Sequence, residues 1–157
     1  MRRNRLAAFC LLPVIAFAAS KPDFTGVWEL DLKKSDFGTA PKPARMTVVS
    51  TMEGEMMKSV QTTYLAQDTQ TAEFTWYVDG KRHRTDKPVP GFSVTHWEDT
   101  MLVSERQSND GAYKQTIKMT LSDDGATALE TVETQNPSGR NKAKLVFHRT
   151  GAPVKMF

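Results

Sequence analysis

The fold of this chain is decided by the stretch Phe24-Thr25-Gly26-Val27-Trp28-Glu29-Leu30, its first strand-like segment. Trp28, Leu30 and Leu32 share one face of this segment, and residues of the opposite face stand between them. Such a period of two is typical of a β-strand that buries one face. A Gly-x-Trp at the start of a chain rich in such segments predicts a small closed barrel built around one buried indole.

The same alternation recurs three more times along the 157-residue chain. Each time one face is largely apolar and the other polar, which an antiparallel sheet with one solvated side requires. The apolar faces hold Phe74, Trp76 and Val78; Tyr113, Ile117, Met119 and Leu121; and Ala143, Leu145 and Phe147. No segment shows ten residues of convincing helical periodicity, so helix is expected to be minor.

Tight turns separate these segments. Asp-Gly pairs supply the positive φ angles that short hairpins need, and Gly, Pro and Asn favour the other reversals. The predicted turns are Glu53-Gly54, Asp79-Gly80, Glu98-Asp99-Thr100, Asp110-Gly111, Asp124-Gly125 and Asn136-Pro137-Ser138-Gly139. Two irregular stretches, 33–42 and 86–91, interrupt the ladder, and the first is expected to cover an opening or a rim.

Successive hairpins predict a meander, and closure of a meander removes its exposed edges. The predicted fold is therefore all-β, a single up-and-down antiparallel β-barrel of about 8–10 strands. A two-sheet β-sandwich is the alternative, although sandwiches usually need long Greek-key crossovers and the connections here look short.

The N-terminal region has the pattern of a secretory signal peptide. Three arginines within the first five residues precede an apolar run that is too short to cross a membrane, and small residues follow it. We therefore expect a signal peptide over residues 1–20, cleaved near Ala18–Ser20, and a barrel domain over residues 21–157. The domain is expected to be exported to the periplasm or the extracellular space.

Charge and cysteine content exclude several classes of function. The chain has 21 Lys and Arg against 18 Asp and Glu. Arg2, Arg3 and Arg5 account for this excess, so the predicted domain is formally neutral. It lacks the excess of positive charge that is typical of nucleic-acid-binding domains. The single cysteine, Cys10, also lies in the predicted signal peptide, so the domain has no disulfide and no thiolate metal site. We expect no nucleic-acid partner, no membrane span and a monomer.

The residues from Phe24 to Leu30 resemble the first strand of the lipocalin and fatty-acid-binding-protein (calycin) superfamily. In those barrels the tryptophan of Gly-x-Trp closes one end, and an arginine of the last strand packs across the indole. The resemblance implies that Gly26, Trp28 and Arg149 form a structural plug here. An arginine over an indole face contributes on the order of 0.5–2 kcal/mol, depending on burial.

The chain also resembles bacterial secreted lipocalin-like proteins of unassigned function. The likeness spans nearly the whole predicted domain and rests on short motifs: Trp28-Glu29-Leu30, Lys34-Ser35-Asp36-Phe37-Gly38, Tyr77-Val78-Asp79-Gly80-Lys81, residues 97–103, Leu121-Ser122-Asp123-Asp124-Gly125 and Val146-Phe147-His148-Arg149. The sequence has no pattern for the helix pair of fatty-acid-binding proteins, and it lacks the later motifs and the disulfide of typical lipocalins. The resemblance therefore implies a barrel and not a particular ligand.

Aromatic side chains on the predicted inward faces are the first candidates for a ligand site. Tyr64, Phe74, Trp76 and Tyr113, with Phe92 as a further member, could line an apolar pocket in which tyrosine hydroxyls act as polar fixtures. The alternative is that they fill a solid barrel.

The run Lys81-Arg82-His83-Arg84 is the dense basic segment of the chain. Arg82 and Arg84 would pair with a carboxylate or phosphate head group if they point inward at the barrel mouth. Otherwise they form a solvated hairpin arm. His96 joins the candidate ligand-binding residues as an inward histidine.

The sequence offers little support for a metal site or a catalytic site. No two of the three histidines, His83, His96 and His148, stand at a spacing of i, i+2 or i, i+4, so no metal site and no cofactor are expected. No hydrolase, P-loop or dinucleotide motif occurs. Carboxylates such as Glu130 alternate in patterns that indicate exposed strand faces, and no catalytic residue is assigned.

Three hypotheses about function remain. The preferred one is an exported lipocalin-like barrel that binds a small, mostly apolar ligand. The alternative is an envelope protein-interaction module with a solid barrel, which predicts an exposed apolar rim from the loop 37–43 and from Val154, Met156 and Phe157. The third is an enzyme on the lipocalin fold, with His96 or His83 beside an inward Tyr or Glu.

Overall fold

The computed structural model describes residues 20–87 and 89–152. Nearly all of the predicted signal peptide lies outside these residues, and so do the tail residues 153–157. The described part forms ten strands. They are β1 (Gly26–Leu30), β2 (Arg45–Glu53), β3 (Met56–Tyr64), β4 (Thr69–Tyr77), β5 (Arg82–Thr85), β6 (Gly91–Glu98), β7 (Met101–Ser108), β8 (Lys114–Leu121), β9 (Thr127–Asn136) and β10 (Gly139–Gly151).

All ten strands belong to one antiparallel sheet in the order β4-β3-β2-β1-β10-β9-β8-β7-β6-β5. Consecutive strands pair along the chain, and β1 pairs with β10, for example at Leu30 and Phe147. The sheet therefore curls into a nearly closed barrel whose two edges are β4 and β5. The predicted up-and-down barrel is confirmed, and the two-sheet sandwich is not observed.

The edges of β4 and β5 meet through side chains. The rings of Tyr77 and His83 stack with their centroids 4.1 Å apart. Nε2 of His83 also lies 2.9 Å from Oδ1 of Asp79, in the turn that joins the two strands. The backbone N–H of Lys81 and this histidine together hold the pKa of Asp79 below its ordinary value. An ionised Asp79 therefore fixes the seam of the barrel at this end.

The predicted reversals all occur between strands. Glycine takes a positive φ in five of them, as at Gly80 (71°), and Asp99 takes 52° in the sixth. The β3–β4 reversal, from Leu65 to Asp68, escaped prediction because it contains neither Gly nor Pro. It is closed by a hydrogen bond from the N–H of Leu65 to the carbonyl of Asp68.

The apolar core lies inside the barrel toward the end where β1 begins. Its buried members include Phe24, Trp28, Met57, Leu102 and Phe147. The irregular stretch 33–42 runs beside β10, where Asp36 pairs with Lys144, and Phe37 of this stretch packs against the core. Within residues 20–87 and 89–152, no helix has the length and apolar character needed to cross a membrane.

Candidate functional site

One end of the barrel is closed by the tryptophan of the first strand and the arginine of the last. The guanidinium of Arg149 lies 4.4 Å from the ring centroid of Trp28. It donates hydrogen bonds to the carbonyls of Gly125 (3.0 Å), Thr25 (2.6 Å) and Asp23 (2.7 Å). Since each of the three guanidinium nitrogens donates a hydrogen bond within the protein, the pair is a structural closure of the barrel floor.

Gly26 has a steric role at this floor. Its φ of +133° is a conformation that side chains with a Cβ rarely adopt. A Cβ placed there would lie 3.1 Å from the carbonyl oxygen of Gly151 and 3.4 Å from Nη1 of Arg149. Glycine therefore lets β1 approach β10 and the arginine closely.

Above this floor the barrel encloses a cavity of about 270 Å³. Its lining alternates along seven strands and is mainly apolar. The apolar members are Phe24, Trp28, Met46, Val48, Met57, Phe74, Trp76, Ile117, Met119, Ala128, Val132, Leu145 and Phe147. The polar members are Ser50, Ser59, Gln61, Gln115 and Glu130. A cavity of mostly apolar walls with a few polar groups is the usual form of a small-molecule site.

The volume limits the size of a ligand. Ligand pockets usually begin at about 300 Å³, and an apolar cavity of about 150 Å³ already holds a benzene molecule. The cavity of this barrel is therefore suited to a small molecule. Three methionines, Met46, Met57 and Met119, line the cavity, and their flexible side chains adapt to ligands of irregular shape.

Two polar groups of the lining satisfy each other. The hydroxyls of Ser50 and Ser59 are 3.0 Å apart in a buried pair between β2 and β3. The indole N–H of Trp76 is different, because it is buried and has no hydrogen-bond partner among the described residues. A buried donor without a partner costs free energy, so the indole N–H of Trp76 is an unsatisfied donor within the barrel wall.

Glu130 is the carboxyl of this cavity. It lies on β9 between Ala128 and Val132, which both line the same space. Burial raises its pKa from 4.5 to about 7, and neither a hydrogen bond nor a neighbouring charge contributes to that shift. The expectation that Glu130 lies on an exposed strand face is wrong. The carboxyl borders the cavity but is enclosed by the barrel wall, which disfavours its ionised form.

A second charged side chain points inward nearer the other end. Arg106 on β7 is 8% exposed, and its Nε has no hydrogen-bond partner among the described residues. Burial lowers the pKa of its guanidinium, while Tyr113 opposes that shift. Burial also raises the pKa of the Tyr113 hydroxyl. Arg106 does not line the cavity that holds Glu130.

The predicted ligand residues divide between the two faces of the sheet. Phe74 and Trp76 line the cavity. Tyr113 precedes β8 on its inward face, and Tyr64 ends β3 beneath the guanidinium of Arg45, 5.6 Å from the ring centroid. Neither tyrosine borders the cavity.

Four other predicted residues, Arg82, Arg84, Phe92 and His96, lie on the outer face. The pairing of β6 with β7 sets Ser93 opposite the inward Arg106, so that the neighbouring Phe92 points outward. Arg82 pairs across β5 and β6 and places its guanidinium 3.6 Å from the centroid of Phe92. The structure therefore does not bring these four to the cavity.

Arg84 lies 4.0 Å from Asp86 in an exposed contact, and Nε2 of His96 lies 3.4 Å from Glu98. Nε2 of His148 lies 2.9 Å from Asp31 and holds the pKa of that carboxyl at about 2. In the part of the chain that the structure describes, no three His, Cys, Asp or Glu side chains group as metal ligands.

Comparison with known proteins identifies the fold. No protein-family model matches this chain, and no curated protein does. Among solved structures, fatty-acid-binding protein 1 of Echinococcus granulosus matches with a TM-score of 0.59 and 14% identity, over 82% of this chain and 98% of its own. A secretory abundant heat soluble protein of Ramazzottius varieornatus matches with a TM-score of 0.61 and 9% identity, over 83% and 98%.

The zebrafish ileal bile acid-binding protein, solved with cholic acid, matches with a TM-score of 0.52 and 16% identity, over 81% of this chain and 98% of its own. These likenesses show that the chain has the fold of fatty-acid-binding and other calycin-like barrels. At such identities they carry the fold alone.

Proposed function

We propose that this protein binds a small, mostly apolar ligand inside its barrel. The observation that carries the proposal is the cavity of about 270 Å³ with five aromatic and three methionine side chains in its wall. Burial of apolar ligand surface there contributes about 25 cal/mol per Å². The barrels of similar fold include one named for fatty acids and one named for bile acids, which supports the same class of function.

Two neighbouring residues of β9 provide a matched test. Val132 lines the cavity, whereas Thr131 points to the opposite face. Val132→Phe should fill the space and weaken binding of n-octanol at least tenfold in a calorimetric titration. Thr131→Phe adds a ring to the same strand and should leave the affinity within about twofold. Equal affinities of both variants would contradict binding inside the barrel.

The alternative functions receive less support from the described residues. A solid interaction module does not need an interior cavity, and the loop residue Phe37 packs on the core instead of forming an exposed rim. An enzyme built on His83 or His96 needs a polar constellation facing a substrate. His83 stacks on Tyr77 instead, and His96 lies on the outer face.

We also propose that the barrel works outside the cytoplasm, in the periplasm or beyond the cell. The support is the pattern of the first 20 residues, in which three arginines precede an apolar run and small residues. The mass of the protein recovered from an exported fraction should correspond to cleavage near Ala18–Ser20. An uncleaved chain in the cytoplasm would contradict this localisation.

A further inference from the structure

We propose that the cavity prefers an apolar ligand that carries a cationic amine, and that the carboxylate of Glu130 pairs with it. This inference rests on the proposed function, since it names the ligand class for the same cavity. The similar fold alone would not suggest an amine, because two of the similar structures are named for fatty acids and bile acids, which are both acids.

The first argument is the isolation of the carboxyl. Glu130 lies in the cavity wall, and neither a hydrogen bond nor an opposite charge from the described residues compensates its burial. Burying a charge without a partner costs free energy. A ligand group of opposite charge would therefore stabilise an ionised carboxyl in this mainly apolar wall. A ligand ammonium would supply both the opposite charge and hydrogen-bond donors.

The second argument is the aromatic wall. Phe24, Trp28, Phe74, Trp76 and Phe147 all border the space that Glu130 borders. The faces of such rings attract cations by about 0.5–2 kcal/mol each, and aromatic cages around ammonium groups use the same physics. An anionic head group would meet both these faces and the carboxylate, and each would repel it.

The third argument concerns the other charges of the interior. The strands next to β9 present Met119 and Leu145 to Glu130, and β1 to β4 contribute apolar residues, serines and Gln61 to the cavity wall, with no titratable group. Arg149 also lies on the inward face of β10, but its guanidinium is taken up by Trp28 and three carbonyls.

Arg106 and Tyr113 are inward titratable groups toward the opposite end, and His83, which pairs with the inward Ser93, contacts Asp79. Burial, and neither Arg106 nor Tyr113, raises the pKa of Glu130. Glu130 is thus the charged side chain that a ligand in this cavity meets, within the described residues.

A matched series of probes tests the preference. At pH 8, n-octylamine, n-octanol and octanoate share one chain length and differ in the charge of the head group. Titration calorimetry should show the amine binding at least tenfold more tightly than the alcohol, and octanoate binding more weakly than the alcohol. With Glu130→Gln the amine should lose its advantage, while the alcohol stays within about twofold.

The control variant is Arg106→Met, which should leave the order of the three probes unchanged. Octanoate binding more tightly than the amine, or an amine preference that survives Glu130→Gln, would overturn the inference and leave the apolar cavity site intact. Failure of all three probes to bind would overturn the proposed function as well, so the two failures are distinguishable.

A measurement on the unmodified protein makes the test independent of folding of the variants. Because the pKa of Glu130 is about 7, the free carboxyl is about half protonated at that pH. Pairing with an ammonium should expel this proton, so calorimetry at pH 7 in buffers of different ionisation enthalpy should give a release of about 0.5 proton with octylamine. Octanol should release none. Absence of proton release with bound octylamine would overturn the role of Glu130.

Discussion

The guanidinium of Arg149 stacks on Trp28 with 4.4 Å between its central carbon and the ring centroid, and it also binds three carbonyl oxygens of neighbouring loops. One side chain of the last strand thus ties together the first strand, the segment before it and the β8–β9 turn. This link closes the barrel at the end where β1 begins.

Replacement of this arginine should cost stability and spare binding. Arg149→Ala removes a cation–π contact of about 0.5–2 kcal/mol and leaves three carbonyls without their charged donor. We expect the free energy of unfolding in urea to fall by about 2–4 kcal/mol. Arg149→Lys keeps the charge but loses the planar guanidinium. Its free energy of unfolding should therefore lie between those of the parent and the alanine variant. An alanine variant as stable as the parent would show that the plug is dispensable.

The buried serine pair offers a test of polar burial in the cavity wall. Ser50→Ala leaves the hydroxyl of Ser59 without its partner at 3.0 Å, which should cost about 1–3 kcal/mol. The double variant Ser50→Ala with Ser59→Ala removes both polar groups and should cost less than the sum of the two single variants. Additive costs in urea unfolding would show that the two hydroxyls do not interact.

Arg106 is a buried cation without a compensating ion pair among the described residues. Arg106→Met keeps much of the side-chain volume and removes the desolvation cost. The variant should be as stable as the parent or more stable, by up to about 1–2 kcal/mol at pH 7. A loss of more than about 1 kcal/mol in thermal or urea unfolding would reveal that the guanidinium stabilises the barrel.

Glu130 should make the stability of the barrel fall as pH rises. Its pKa is raised from 4.5 to about 7 in the folded protein, so between these values the folded state binds more protons than the unfolded state. The stabilisation is complete below pH 4.5 and is lost as pH rises through about 7. At pH 8, Glu130→Gln should be more stable than the parent by roughly 2–3 kcal/mol.

The check on this effect is urea unfolding of both proteins between pH 4.5 and 8. The difference between them should grow across this window and level off above it. A difference that does not change with pH would mean that the carboxyl is solvated in the folded state.

The sequence predicts the fold well because strand alternation and turn chemistry are local properties. Six reversals follow from Gly, Pro, Asn or Asp at their tips, and the apolar faces of β1, β4, β8 and β10 follow from the period of two. The turn from Leu65 to Asp68 is the exception. Its residues have no strong turn preference, so the sequence does not separate β3 from the start of β4.

The site is harder to predict because alternation does not say which face is inside. In β6 the apolar side chains of Phe92 and Val94 lie outside, while Ser93 and Thr95 lie inside together with Trp97. Register with β7 decides this, and register is a long-range property.

Glu130 escaped prediction for a related reason. A charged residue within an alternating strand usually marks the solvated face. The available signal was that it shares its face with Ala128 and Val132, which are both apolar. Only the barrel reveals that this face encloses a cavity.

The measurement that tests the central claim most directly is ligand contact at the methionine methyl groups. Met46, Met57 and Met119 line the cavity, whereas Met56 and Met101 lie on the outer face of their strands. In NMR spectra of protein labelled at the methionine methyls, n-octanol should shift the signals of the first three and show intermolecular contacts to them. The signals of Met56 and Met101 should stay in place. Contacts confined to Met56 and Met101, or none to Met46, Met57 and Met119, would contradict a ligand site inside the barrel.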